Sequence, residues 1–180
     1  MYKQWIGGLV LLLTGIVANA AAPREGIVQE GIGVPGVQLG ATRAQVEANY
    51  GAPGFCQSIQ SGDYAVCTFP VTGGGQVNIR YTGPQGGNAS HSPYDVVRHI
   101  QWYPGVNWVT TAGITADLAL NDPETLLQAY PNAEVTYHSF TGQIYSVIDK
   151  QLGFSVIRWY NFYSGQTSAY LSIYPPQTAQ

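Results

Sequence analysis

The feature that most constrains this chain is internal: its second half restates its first about eighty residues on. Thr42, Val46, Tyr50 and Ser61-Gly62 are answered by Asp122, Leu126, Tyr130 and Thr141-Gly142, each 80 positions later. The correspondence resumes at an offset of 78, where Ile79-Arg80-Tyr81 meets Ile157-Arg158-Trp159. A fixed period signals one folding unit built twice. The expected units span residues 36–104 and 105–176, with a segment 21–35 before them and a tail 177–180 after them.

Residues 1–20 stand outside that period. Lys3 gives a positive start, Ile6 to Val17 form an apolar run, and Ala18-Asn19-Ala20 is an A-x-A cleavage site. This is the layout of a secretory signal peptide. The run is roughly twelve residues against the ~20 that span a bilayer, so the expectation is an exported chain, secreted or periplasmic, without stable membrane insertion. Removal of Lys3 leaves six basic side chains against ten acidic ones. No basic face is left to neutralise phosphates, which argues against nucleic acid as a partner.

Each unit opens on a helix start. Thr42-Arg43-Ala44-Gln45 has the form of a capping box, and Gly51-Ala52-Pro53 stops that helix. In the second unit Asp122 caps, Pro123 takes the first helical position and Pro131 ends the run. Strands are expected over Cys56–Gln60, Tyr64–Thr68, Gln76–Tyr81 and Val96–Tyr103, then Val135–Phe140, Gln143–Asp149, Phe154–Tyr160 and Ala169–Tyr174. The expected fold is therefore α+β: two tandem helix–four-stranded antiparallel meander repeats forming one continuous sheet with small helices on one face.

Cys56 and Cys67 flank the turn at Ser61-Gly62. In a hairpin with that two-residue loop, facing positions sum to 123, as 56 and 67 do. Residues so placed lie within disulfide reach, and an exported chain oxidises them. The second unit has Thr136 and Val147 at the corresponding places.

Alternation assigns the faces. Gln76 to Tyr81 alternates polar and apolar, which sends Val77, Ile79 and Tyr81 inward with Ile100, Trp102, Leu171 and Ile173. The period adds Ile157 and Trp159 to that inner set. Left outside are Gln76, Asn78, Arg80, His99, Gln101 and Tyr103 in the first unit. In the second, Phe154, Val156, Arg158, Tyr160, Tyr170, Ser172 and Tyr174 follow, with His138 and Tyr145 from the hairpin. So many aromatics beside an arginine and a histidine match the composition of interface anchors. The candidate partner-binding residues are His138, Tyr145, Arg158, Tyr160, Tyr170, Tyr174, Tyr103 and His99. The competing reading is that tyrosines are simply good strand residues, or that residues 82–92 or 21–35 cover the face.

Leu39-Gly40-Ala41-Thr42-Arg43-Ala44-Gln45-Val46, closing at Tyr50-Gly51-Ala52-Pro53, resembles the helix signature of the SmpA/OmlA (BamE) outer-membrane-assembly lipoproteins. It is similar also to the opening of both repeats in the β-lactamase inhibitory protein-like family, where a cystine follows the first helix in the same place. The resemblance implies a concave antiparallel sheet backed by small helices. The second unit departs from the signature, with Leu120 for the motif glycine and Pro131 for the closing one, and there is no lipobox cysteine. No enzyme-binding loop residue of the inhibitors has a match here.

Chemistry is thinly represented. Ser90, His91, Asp95 and His99 are near in sequence, but nucleophile, base and orienter must converge in space. Asn88-Ala89-Ser90 is an N-x-S sequon. His91, His99 and His138 fall on different elements, which disfavours a shared metal, and no cofactor motif is present. The expectation is not an enzyme but a binding module, inhibitor-like in character, whose partner is another protein or an envelope component. The alternative is a cell-envelope assembly or structural accessory protein.

Overall fold

The computed structural model of the chain describes residues 20–59, 64–139, 143–161 and 164–177. The signal-peptide reading of residues 1–19 and the turns at Ser61-Gly62 and Thr141-Gly142 lie outside the described residues. In chain order the elements are β1 (Glu25–Val28), β2 (Gly33–Val34), β3 (Val37–Gln38), α1 (Arg43–Tyr50), β4 (Phe55–Ser58), β5 (Ala65–Pro70), β6 (Gln76–Thr82), β7 (Val96–Trp102) and β8 (Asn107–Thr110). They continue with α2 (Ala116–Asn121), α3 (Pro123–Ala129), β9 (Glu134–Tyr137), β10 (Ile144–Asp149), β11 (Phe154–Asn161) and β12 (Gln166–Ile173).

The helix starts form as their caps dictate. Thr42 closes a capping box with Gln45, and Asp122 accepts from the Thr125 N–H ahead of Pro123. Gly51 ends α1 at φ 78, where a side chain would also strike the Ala20 carbonyl. The capped helices are nevertheless short, at 8 and 7 residues. They hold by burying Val46, Tyr50 and Leu126 rather than by intrinsic propensity.

The expected α+β class, built from tandem helix–meander repeats, is overturned. Among the described residues strands take 44% and helices 14%, so the protein is mostly β there, with three short helices. Capping motifs mark where helices begin and say nothing of how little chain they occupy. The later half also carries an additional helix, α2, capped by Thr115. Its strand β8 leaves the main sheet to pair in parallel with β1 from the N-terminal segment.

The main sheet is antiparallel, in the order β4-β5-β6-β7-β12-β11-β10-β9. Its core lies on the helix side, where Trp102, Trp108, Tyr50, Tyr81, Phe69 and Phe154 are the largest buried side chains. Trp102 and Trp108 meet at 5.9 Å between ring centroids, and Tyr50 meets the edge of Phe69 at 5.9 Å. The N-terminal segment straps across this side. Ala22 bonds to Pro70 and Thr72, and the Pro23 carbonyl accepts from the Trp108 indole at 2.8 Å. Glu30 takes the hydroxyls of Thr111 at 2.6 Å and Tyr130 at 2.8 Å.

Cys56 faces Cys67 across β4 and β5 in a disulfide with 4.1 Å between Cα atoms. Replacing both cysteines by serine is expected to cost about 3 kcal/mol, the loop-closure entropy of so short a crosslink. A urea midpoint unchanged by the double replacement would contradict that.

In β6 and β12, and in β7 from His99 onward, the faces fall as alternation requires; a register shift leaves Arg98 unpaired between Val97 and His99, and exposed. In β11 they are reversed. Phe154 and Val156, expected outside, are fully buried, and Trp159, expected inside, is 37% exposed. Val156 faces Val147 and Leu171, the place that Ile79 holds between Cys67 and Ile100. The offset between Ile79 and Val156 is thus 77, one short of the 78 that the Ile-Arg-aromatic match suggests. Residues 71–75 join β5 to β6, whereas only 150–153 join β10 to β11. A slip of one residue moves every side chain of a strand to the other face. The facing pair that matches the cysteines is likewise Val135 and Val147, not Thr136 and Val147, since Thr136 faces Ser146.

Candidate functional site

On the side away from the helices, cross-strand pairing sets the outer residues in rows. Tyr103 follows β7 and meets Tyr170 of β12 at 6.0 Å between centroids; Tyr170 meets Trp159 of β11 at 5.7 Å. Tyr145, 43% exposed at the β10 bulge, is close enough to Tyr170 to act on its ionisation. A continuous aromatic ledge therefore runs from Tyr103 at the end of β7 through β12 to β11, with Tyr145 of β10 nearby.

Polar groups fix one end of the ledge. The Thr68 hydroxyl donates to the Asn78 side-chain Oδ1 at 2.8 Å. The amides of Asn78 and Gln101 both donate to the Tyr103 oxygen, at 3.0 and 2.6 Å. Burial, then the neighbouring Tyr170, push the Tyr103 phenol above its usual range, against the pull of the Asn78 bond. Beside the ledge Ser155 and Ser172 pair at 2.7 Å and form a small-residue floor. Rings of this kind offer rigid, amphipathic contact area with few rotamers to freeze.

Across that floor stand His99 and Tyr174, edge to face at 6.2 Å. His99 is paired across the strands with Arg80, whose guanidinium lies 4.1 Å from the Tyr64 ring centroid. Burial, then the Arg80 charge, push the His99 imidazole down to about 4. With the folded value depressed, the unfolded chain binds the extra proton between its ordinary 6.5 and about 4. Stability is therefore lost as pH falls through that window. The loss is expected on the order of 3 kcal/mol at most. His99→Gln should flatten the slope of stability against pH there, and an unchanged slope would refute the assignment.

The structure divides the anticipated site residues. Tyr103, Tyr145, Tyr170, Tyr174 and His99 share the outer face. Arg158 does not: it is paired with buried Ala169 and its guanidinium donates to the Leu120 carbonyl of α2 at 2.8 Å. Tyr160 follows the same alternation, two residues on. His138 stands at the end of the β9–β10 hairpin, its N–H donating to the Gln143 carbonyl. His138, Tyr145, Arg158 and Tyr160 do line one crevice with Trp159. At about 10 Å³ it has barely the room of one water. The residue missed by sequence reasoning is Trp159, and the shorter β10–β11 connection was the signal that could have found it.

Neither proposed cover lies over the ledge by its contacts. The N-terminal strap bonds to Trp108, Thr111, Tyr130 and Tyr50 on the helix side. From residues 82–92, His91 reaches Ser58 and the Arg43 guanidinium.

The His91 contact bears on catalysis. Its Nε2 is 2.7 Å from the Ser58 hydroxyl, the spacing of a nucleophile and its base. Its Nδ1, however, faces Arg43 Nη1 at 3.5 Å. Arginine only donates, so this long contact is a hydrogen bond only in the tautomer with its proton on Nε2, which cannot take one from Ser58. Asp95, the nearby acid, instead accepts from the N–H groups of Ser90 and Ser92 and shapes the turn. Elsewhere a cleft of about 720 Å³ opens between β2, β3 and α1, lined by Val34, Val37, Gln38, Gln45, Val46 and Asn49 among others, with no titratable side chain.

Comparison with protein-family models, curated proteins and solved structures found no match. The disulfide is compatible with an exported protein, and no helix among the described residues is long and apolar enough to cross a membrane.

Proposed function

We propose that this chain is a secreted or periplasmic protein-binding module, processed near Ala20, which takes its partner on the outer aromatic face of the sheet. The observation that carries this reading is the unbroken ledge of Trp159, Tyr170 and Tyr103 on a face whose opposite side already holds the core and the strap. Tyr and Trp in a contiguous group, bordered by an arginine, are the residues that dominate interface energetics. The resemblance to the β-lactamase inhibitory protein-like family supports an inhibitor-like role of the same kind, without naming a target.

Site-specific photo-crosslinking tests it. A photoreactive residue at Ser168, which pairs with Trp159, should capture a protein from the secreting organism's exported fraction. The same group at Gln128, exposed on α3, should not. Equal capture from both positions, or capture from Gln128 alone, would place the interface elsewhere.

A further inference from the structure

Resting on that reading of the sheet face, we propose that the partner is an acidic protein surface whose Asp or Glu carboxylates seat on Arg80 and Arg98 beside the tyrosine ledge.

Cationic charge on this face lacks an ionic partner among the described residues. Among the described residues the ion pairs are Arg43 with Glu47 and Lys150 with Glu134. Among the described residues no carboxylate lies within ion-pair distance of Arg80 or Arg98, in a chain where acidic side chains outnumber basic ones. Both belong to the outer side of the same two strands. Arg80 is paired with His99, and the exposed Arg98 donates from Nε to the Thr82 hydroxyl at 3.3 Å.

Arg80 is also prepared. The Tyr64 ring lies against its guanidinium, and its Nε is buried with no acceptor. A buried donor left unmatched in a native fold calls for an explanation, and an incoming acceptor supplies one. A guanidinium partly withdrawn from water attracts an anion more strongly than a solvated one, and its planar fork matches a carboxylate. Two arginines with one neutral histidine make too small a cationic area for a phosphate polymer, whose binding rests on many neutralised charges. The tyrosines next to them suit the apolar side chains that accompany acidic anchors in a protein contact.

The test is a selection of random displayed peptides on the mature protein with its disulfide intact. Bound peptides should be enriched in Asp and Glu next to large apolar residues. Their affinity should fall at least tenfold on Arg80→Gln with Arg98→Gln, by less on Arg80→Lys, and steadily with added salt. The His99 imidazole proton resonances, followed by NMR, should titrate at higher pH with peptide bound, since a carboxylate on Arg80 relieves its repulsion of the ring. Near-UV circular dichroism identifies any variant that fails to fold, and Arg80→Lys then decides alone. Peptides that lose affinity on Tyr170→Ala but not on the arginine changes would overturn the acidic partner and leave the face as a docking surface. Peptides indifferent to both would overturn both. A basic or uncharged consensus, no selected binder, or equal arginine-dependent binding of a single-stranded oligonucleotide would each overturn the proposal.

Discussion

Trp102→Ala is expected to destabilise the protein by about 3–5 kcal/mol, the range for removing a buried tryptophan from a packed core. Trp102 stands on the strand where the halves of the sheet join, paired with Val77 on one side and Leu171 on the other. It is fully buried and packs on Trp108. Its loss opens a cavity that strands held on both flanks cannot close. Trp159→Ala is the control, since that ring is 37% exposed and should cost about 1 kcal/mol or less. Urea melts of the two variants decide the matter. Similar losses would mean that Trp159 belongs to the core and that β11 keeps the face assigned to it by the period.

The second large effect concerns binding. Tyr170 touches both Tyr103 and Trp159, so it is the centre of the ledge. Anchors at the centre of an interface typically cost ~2 kcal/mol or more on truncation, roughly thirtyfold in affinity, while rim residues cost little. Tyr170→Ala should therefore weaken capture of the partner by at least that factor and leave the melting midpoint close to that of the parent. Arg158→Ala should do the reverse, because its guanidinium serves the Leu120 carbonyl and not the outer face. Calorimetric titration beside thermal melts separates the two. If Tyr170→Ala unfolds as readily as Trp102→Ala, the tyrosine is structural and the ledge loses its role.

Much of the sheet was legible because its signals are local. The cystine followed from hairpin arithmetic, and β6 declares its faces through six alternating residues. The run Phe154-Ser155-Val156-Ile157 declares nothing, since Ser155 is its one polar residue and no alternation of polar and apolar side chains marks either face. There the period had to decide, and one residue fewer in the preceding connection sent it to the wrong side. Arg158 was equally opaque: its acceptor lies 38 residues back on a helix that no strong capping box announced. The strap escaped notice because strands of 4, 2 and 2 residues are too short to show a period. Five of the eight candidate residues, Tyr103, Tyr145, Tyr170, Tyr174 and His99, lie on the outer face as read, because their register was fixed independently of the period.

The strap has a consequence for the order of events in a nascent chain. Pro23 waits for Trp108, Glu30 for Thr111 and Tyr130, at separations of 85, 81 and 100 residues. Contacts this distant in sequence are slow to close; the first must wait for Trp108 to be delivered and the last for Tyr130. The β4–β5 hairpin and its cystine need no such delay. A polypeptide that emerges from its N-terminus onward can thus pair Ala22 with Pro70 and Thr72 early, and fastens Pro23 and Glu30 only when β8 and the end of α3 arrive.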